Sequence, residues 1–184
     1  MIKPITAALL LNLSMTAFAQ TPTSEQIAEY TAAAERGEAR AQFNLGSMYE
    51  NGEGVPEDDA TAVKWYTKAA EQGNANAQSN LGLMYDHGQG VPEDDATAVK
   101  WYRKAAEQGD ANAQSNLGLM YNHGDGVPED DVTAYMWFNL AAAQENESAE
   151  TLKGVVQLRM TPADISKAQK LSRECLAKDY KDCG

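Results

Sequence analysis

The sequence predicts an all-α fold, an α-solenoid of antiparallel helix pairs built from 36-residue repeats. Two observations predict it. The segment from Gly37 to Gln72 returns from Gly73 to Gln108 and again from Gly109 to Gln144, with 28 of 36 positions shared by the first two copies and 26 of 36 by the last two. A fixed period of this size marks units that cannot bury their apolar faces alone and must stack. Within each copy, apolar and small residues fall at helical spacing in two stretches, divided by a Gly-x-Gly-Val-Pro turn.

A leader precedes the array. Lys3 supplies a positive start, Ile5 to Leu13 is a short apolar run, and Ala17-Phe18-Ala19 is a small-x-small cleavage site. A membrane anchor needs about 20 apolar residues, and this run is shorter. The expectation is a signal peptide cut after Ala19, with a mature chain from Gln20 that is periplasmic or secreted and inserts in no membrane. Residues 20–36 then supply a capping helix: Ser24 to Arg36, ending Ala-Ala-Ala-Glu-Arg-Gly, imitates the Lys-Ala-Ala-Glu-Gln-Gly ending inside the repeats.

The second copy, 73–108, shows how each repeat works. Ala77, Leu81, Met84 and Tyr85 lie at i, i+4, i+7 and i+8, one face of a first helix. Gly82 lies in that face and admits close approach by a neighbour. Gly88 ends the helix, and Val91-Pro92 cannot continue it. Asp94 or Asp95 caps the second helix, whose inner stripe is Ala98, Trp101, Tyr102, Ala105 and Ala106. The tryptophans Trp65, Trp101 and Trp137 read as core; a ligand-stacking role is the alternative. Copies 37–72 and 109–144 repeat the scheme.

Past Gln144 the match decays. Glu145 replaces the expected glycine, Ser148 to Arg159 is a degenerate first helix, and Thr161-Pro162-Ala163-Asp164 starts a C-terminal capping helix within 145–184. Tyr135, Met136 and Phe138 replace Val99, Lys100 and Tyr102, which predicts a different neighbour, the C-terminal cap. Cys175 and Cys183 close the chain. In an oxidising compartment they are expected to pair as a disulfide; a reactive thiol or a metal pair is the alternative.

Net charge is −12, and −13 once Lys3 is removed with the leader. That balance argues against nucleic acid, which is bound through basic phosphate contacts. The acids recur as Glu57-Asp58-Asp59, Glu93-Asp94-Asp95 and Glu129-Asp130-Asp131, which read as solvated turns and helix starts; a patch for a basic partner is the alternative.

The motifs Ala-x-Ala-Gln-x-Asn-Leu-Gly-x-Met-Tyr, Gly-x-Gly-Val-Pro-Glu-Asp and Ala-x-x-Trp-Tyr-x-x-Ala-Ala-Glu-Gln-Gly resemble those of the Sel-one-like repeat family (SLR), a cousin of the tetratricopeptide repeats. They span Ala39 to Gln144. The resemblance implies a right-handed α-solenoid serving as an adaptor or scaffold without enzyme activity. Bacterial members are exported and serve in signalling, envelope processes, motility or host-cell contact. It also implies that first helices line a concave groove holding a protein or peptide partner. The positions here are Arg40, Phe43, Asn44, Ser47, Glu50 and Asn51 in the first copy. Their equivalents are Asn76, Ser79, Asn80, Leu83, Asp86 and His87, then Asn112, Ser115, Asn116, Leu119, Asn122 and His123. The alternative is that Leu83 and Leu119 pack on adjoining repeats while the asparagines brace turns between them.

No metal site or cofactor is expected. His87 and His123 are the only histidines and are equivalent by duplication, without converging ligands. Some cysteine-rich relatives bind or hydrolyse β-lactams, so a cell-wall-related binder or hydrolase is the rival reading. Against it, the chain has no Ser-x-x-Lys, Lys-Thr-Gly or Gly-x-Ser-x-Gly motif.

Overall fold

Aspartate caps and glycine stops cut the chain into helices of nearly equal length. In the computed structural model, which describes residues 22–183, these are α1 (Ser24–Glu35), α2 (Ala39–Asn51), α3 (Asp59–Glu71), α4 (Ala75–His87), α5 (Asp95–Ala106), α6 (Ala111–His123), α7 (Asp131–Ala142), α8 (Glu147–Gln157) and α9 (Pro162–Ala177). No strand occurs among the described residues. The proposed leader lies outside them.

The starts are the ones the sequence predicts. Asp58, Asp94 and Asp130 each accept a hydrogen bond from the backbone N–H three residues on, capping α3, α5 and α7. Gly52, Gly88 and Gly124 end α2, α4 and α6 in left-handed geometry. Each intervening turn closes with the same 2.9 Å bond, from Asp58, Asp94 or Asp130 N–H to the carbonyl of Tyr49, Tyr85 or Tyr121. Thr23 and Gln26 form a capping box on α1, and Thr161 with Pro162 opens α9. Glu145, in the glycine position, keeps the left-handed conformation at φ 65°.

Helices pair as α2/α3, α4/α5 and α6/α7, and each pair stacks on the next through α3/α4 and α5/α6. The result is an α-solenoid. Close packing within a pair depends on Gly46, Gly82 and Gly118. A Cβ on them would stand 2.7, 2.6 and 2.7 Å from the rings of Tyr66, Tyr102 and Phe138. Between pairs, buried glutamines form a brace. Gln42, Gln78 and Gln114 donate to the carbonyls of Ala34, Ala70 and Ala106 at 3.0, 2.9 and 3.1 Å. Each then accepts from the glutamine 30 residues on, Gln72, Gln108 or Gln144. The turn glycines Gly90 and Gly126 press against the backbone starting the preceding pair's second helix, at Asp59 and Asp95.

The C-terminal end departs from the pattern. Helix α8 packs on α7 as a first helix should, and α9 also lies on α7. Tyr135, Met136 and Phe138 are buried there, as their exchange predicts, and Ser172 Oγ donates to the Met136 carbonyl at 3.4 Å. Cys175 and Cys183 form a disulfide. The loop it closes places the Tyr180 ring beside Gly109, two repeats back.

The tryptophans correct the sequence reading in part. Trp137 is fully buried, but Trp65 and Trp101 are half-buried. Lys68 and Lys104 lie over them, with ammonium groups 4.0 and 4.1 Å from the ring centres. The reason is α9, which covers only the third tryptophan.

Gly90→Ala should lose about 2–4 kcal/mol by denaturant unfolding, since its left-handed φ and the Asp59 carbonyl oxygen 2.5 Å away both oppose a Cβ. Gly73→Ala, equally left-handed but with open space around it, should lose only about 1 kcal/mol. Cys183→Ser should lower stability by about 2.5 kcal/mol, the chain-entropy value for so short a loop.

Candidate functional site

The first helix of each pair turns its alanine, leucine and methionine side to the core, which leaves asparagine and serine on the other side. Around α4, α6 and the start of α8 these residues converge on an open recess of about 310 Å³. Ser79, Asn80, Leu83, Asn112, Ser115 and Asn116 line it, joined by Asn146 and Ser148. Every member of the lining except Leu83 is an amide or a hydroxyl residue.

Its polar groups are held in place by the caps. Asp110 caps α6 through Ala113 N–H at 2.7 Å and accepts from Ser79 Oγ at 3.3 Å. Asn146 caps α8 through Ala149 N–H at 2.9 Å and donates to Asn112 Oδ1 at 3.2 Å. Asn146 and Ser148 are not in the predicted set. Their signal is register: Asn146 stands 36 residues after Asp110.

The first-copy residues lie apart from this recess. Phe43, Asn44 and Ser47 border a hollow of about 370 Å³ with Pro22, Gln26 and Tyr30. Arg40 and Asn44 border another of about 330 Å³ beside α1. Phe43 also packs on Tyr66, with ring centres 5.7 Å apart. Asn76 and Asn112 are exposed, whereas Ser79 and Ser115 are buried, at 8% and 6% exposure, and show only an edge to the recess. Leu83 and Leu119 are half-buried against the neighbouring repeats' cores, so Leu83 serves packing and recess together. His87 and His123 are exposed at the last turn of α4 and α6, beside Asp86 and Asp125. Among the described residues no three His, Cys, Asp or Glu side chains gather as metal ligands.

Two asparagines have a structural partner, which is a tyrosine. Tyr66 donates its hydroxyl to Glu50 at 2.5 Å and accepts from Asn80 at 3.0 Å. One repeat on, Tyr102 donates to Asp86 at 3.1 Å and Asn116 bonds the same hydroxyl. Each relay joins three helices across two repeats. The third copy loses all its members together: Asn122, Phe138 and Leu152 stand in those positions. Asn122 instead accepts from Arg159 at 2.6 Å. Burial first, and the neighbouring carboxylate second, push both phenols above their ordinary value of 10. The turn-bracing part foreseen for asparagine belongs to Gln42, Gln78 and Gln114, legible only as invariant glutamines in the repeated motifs.

Side-chain amides donate and accept together, and so do the peptide groups of an extended chain. A recess lined by them, with one leucine and no charge, suits an uncharged polar backbone.

The Sel1 repeat model matches three times, at residues 39–74, 75–110 and 111–146. The chain belongs to the Sel1 repeat family. It is similar to the crystal structure of a Sel1 repeat protein from Oxalobacter formigenes, at 40% identity and TM-score 0.67, over 70% of this chain and 53% of that one. It is also similar to c5321, a protective antigen present in uropathogenic Escherichia coli strains that displays an SLR fold, at 30% identity and TM-score 0.54, over 86% of this chain and 42% of that one. Helicobacter pylori cysteine rich protein B shares the fold at 24% identity and TM-score 0.55, over 70% of this chain and 92% of that one. The chain thus spans about half the length of the first relative and less of the second. No curated protein matches it significantly. Sel1 repeat proteins generally mediate protein–protein interaction and are typically scaffolds.

Removing the Tyr102 hydroxyl should expose the relay's contribution. Tyr102→Phe is expected to cost about 1.5–3 kcal/mol in urea unfolding, the usual range for a bond to a charged group. Adding Asp86→Asn should recover part of it, since Asn122 and Phe138 coexist in the third copy. The raised phenols favour the neutral form in the fold, so their contribution is complete below pH 10 and lost as pH rises above it. Alkaline unfolding should therefore move to higher pH in Tyr66→Phe/Tyr102→Phe, measured relative to each protein's stability at pH 7.

Proposed function

We propose that this protein is an exported adaptor that binds an extended segment of a partner protein along the outward side of its first helices. Convergence carries the reading. Six residues expected to touch a partner, spread over two repeats, line one recess, and the C-terminal cap adds two more. Asparagine and serine would bond the partner's backbone, and Leu83 would give an apolar contact. The hollows near Asn44 extend the same side toward α1.

The disulfide fits an exported protein, and no helix of the described residues is long and apolar enough to cross a membrane. The leader motif and the similarity to a bacterial protective antigen support a periplasmic or secreted location, with an envelope or host-contact role. Cell fractionation should find the mature protein outside the cytoplasm, with Gln20 as its first residue.

The binding test is crosslinking in the native cell followed by recovery of the partner. Asn76→Arg/Asn112→Arg changes two exposed positions and should leave the melting curve intact while abolishing recovery. Undiminished recovery with the double variant would sink the proposal. Purified protein should not hydrolyse a chromogenic β-lactam.

A further inference from the structure

The second helices carry a different surface, and α7 shows what it can hold. On α7, Met136, Trp137 and Leu140 are buried in one cluster with Cys175, against which Leu171 of α9 packs. Helix α9 comes close enough there for Ser172 to reach the Met136 carbonyl. The close approach uses small residues: Ala168 and Ser172, four apart, are both buried.

One repeat earlier, Lys100, Trp101 and Lys104 occupy the same positions on α5, and among the described residues no helix packs on α5 as α9 packs on α7. A hollow of about 410 Å³ stands there. Ala96, Val99 and Val127 give it an apolar floor, and Lys100, Arg103 and Lys104 give it a basic rim with Glu107 as the one acid. Arg103 is anchored through Tyr121, and Lys104 covers the half-buried Trp101 face. Three of the chain's 15 basic residues thus fall within five positions of a protein whose net charge is −12. The exchange of Met136, Asn139 and Leu140 for Lys100, Arg103 and Lys104 turns a mainly apolar seat into a basic one.

We propose that this seat on α5 docks an acidic helix of a partner protein, laid across α5 as α9 is laid across α7. The contact stripe of that helix carries small residues four apart, which admit the close approach seen at Ala168 and Ser172. Carboxylates flank the stripe and meet Lys100 and Lys104. A partner is favoured over a second copy of this chain because the copy's repeated acids lie in turns and caps, and α9 itself exposes Lys167, Lys170 and Arg173. The surface is separate from the recess of the first helices.

The probe is a fluorescent, stapled peptide of residues 162–177 with Lys167, Lys170 and Arg173 changed to Glu and Cys175 to Ala. The comparison peptide keeps the three basic residues. The acidic peptide should bind the mature protein at least about tenfold more tightly than the basic one, and weaken as salt rises. Lys100→Glu/Lys104→Glu should weaken it by about tenfold or more. Lys100→Met/Lys104→Leu, which installs the residues α7 carries and keeps the helix packed, should weaken it likewise, with thermal unfolding confirming that both variants fold. Asn76→Arg/Asn112→Arg should bind the acidic peptide normally, which separates this site from the recess. Equal binding of the two peptides, or full binding by the folded lysine variants, would overturn the proposal. So would sedimentation showing a dimer that dissociates in Lys100→Glu/Lys104→Glu, since the seat would then belong to a second copy.

Discussion

An aromatic ring pressed against a glycine sets the spacing of each helix pair, and the other interactions rest on that spacing. Tyr66 on Gly46, Tyr102 on Gly82 and Phe138 on Gly118 bring the two helices closer than any side chain on the first would permit. At that distance the alanines of the second helix can reach the leucines and methionines of the first. Small residues give little apolar area singly, so the array needs many of them at full burial. The same ring, where it is tyrosine, carries a hydroxyl to the edge of the core. There Glu50 or Asp86 accepts its hydrogen bond and the next repeat's Asn80 or Asn116 closes the relay.

Stacking uses a second device, the buried glutamines. Each donates to a carbonyl in the last turn of the preceding helix, which also accepts from the N–H of the following turn glycine. Their bonds to the glutamines 30 residues on make the repeat length itself a constraint. An inserted residue would break the brace and the contact of Gly90 with Asp59 together. The ends need other solutions. Ile27 fills the space beside Gly54, and at the C-terminus α9 exchanges solvent for an apolar cover over Trp137.

The two sides of the solenoid consequently differ in kind. First helices gather amides and hydroxyls into a recess whose lining carries no charge, held by caps and by one another. Second helices show lysine over tryptophan, with the one apolar version already occupied by the chain's own last helix. A single repeat sequence therefore yields two surfaces with different chemistry, and divergence of the third copy supplies an internal view of how one of them is covered.

Much of this was legible in the residues. The period, the capping aspartates, the glycine stops and the packing of Tyr135, Met136 and Phe138 against a C-terminal cap follow from local chemistry repeated three times. The candidate face was legible as a set of positions, because helical periodicity says which residues the core does not use. Its division into a recess and separate hollows was not, since that depends on how Asn146 and α1 sit across neighbouring repeats. The tryptophans mark the same limit. Trp65, Trp101 and Trp137 share one motif position, yet only α9 decides which is buried. Sequence by itself determined the helices, their order and their inward faces, because turns, caps and periodicity act within a few residues. Tertiary structure alone decided which equivalent positions are covered, bonded or open, because that depends on residues 30 or more positions away brought within a few ångströms.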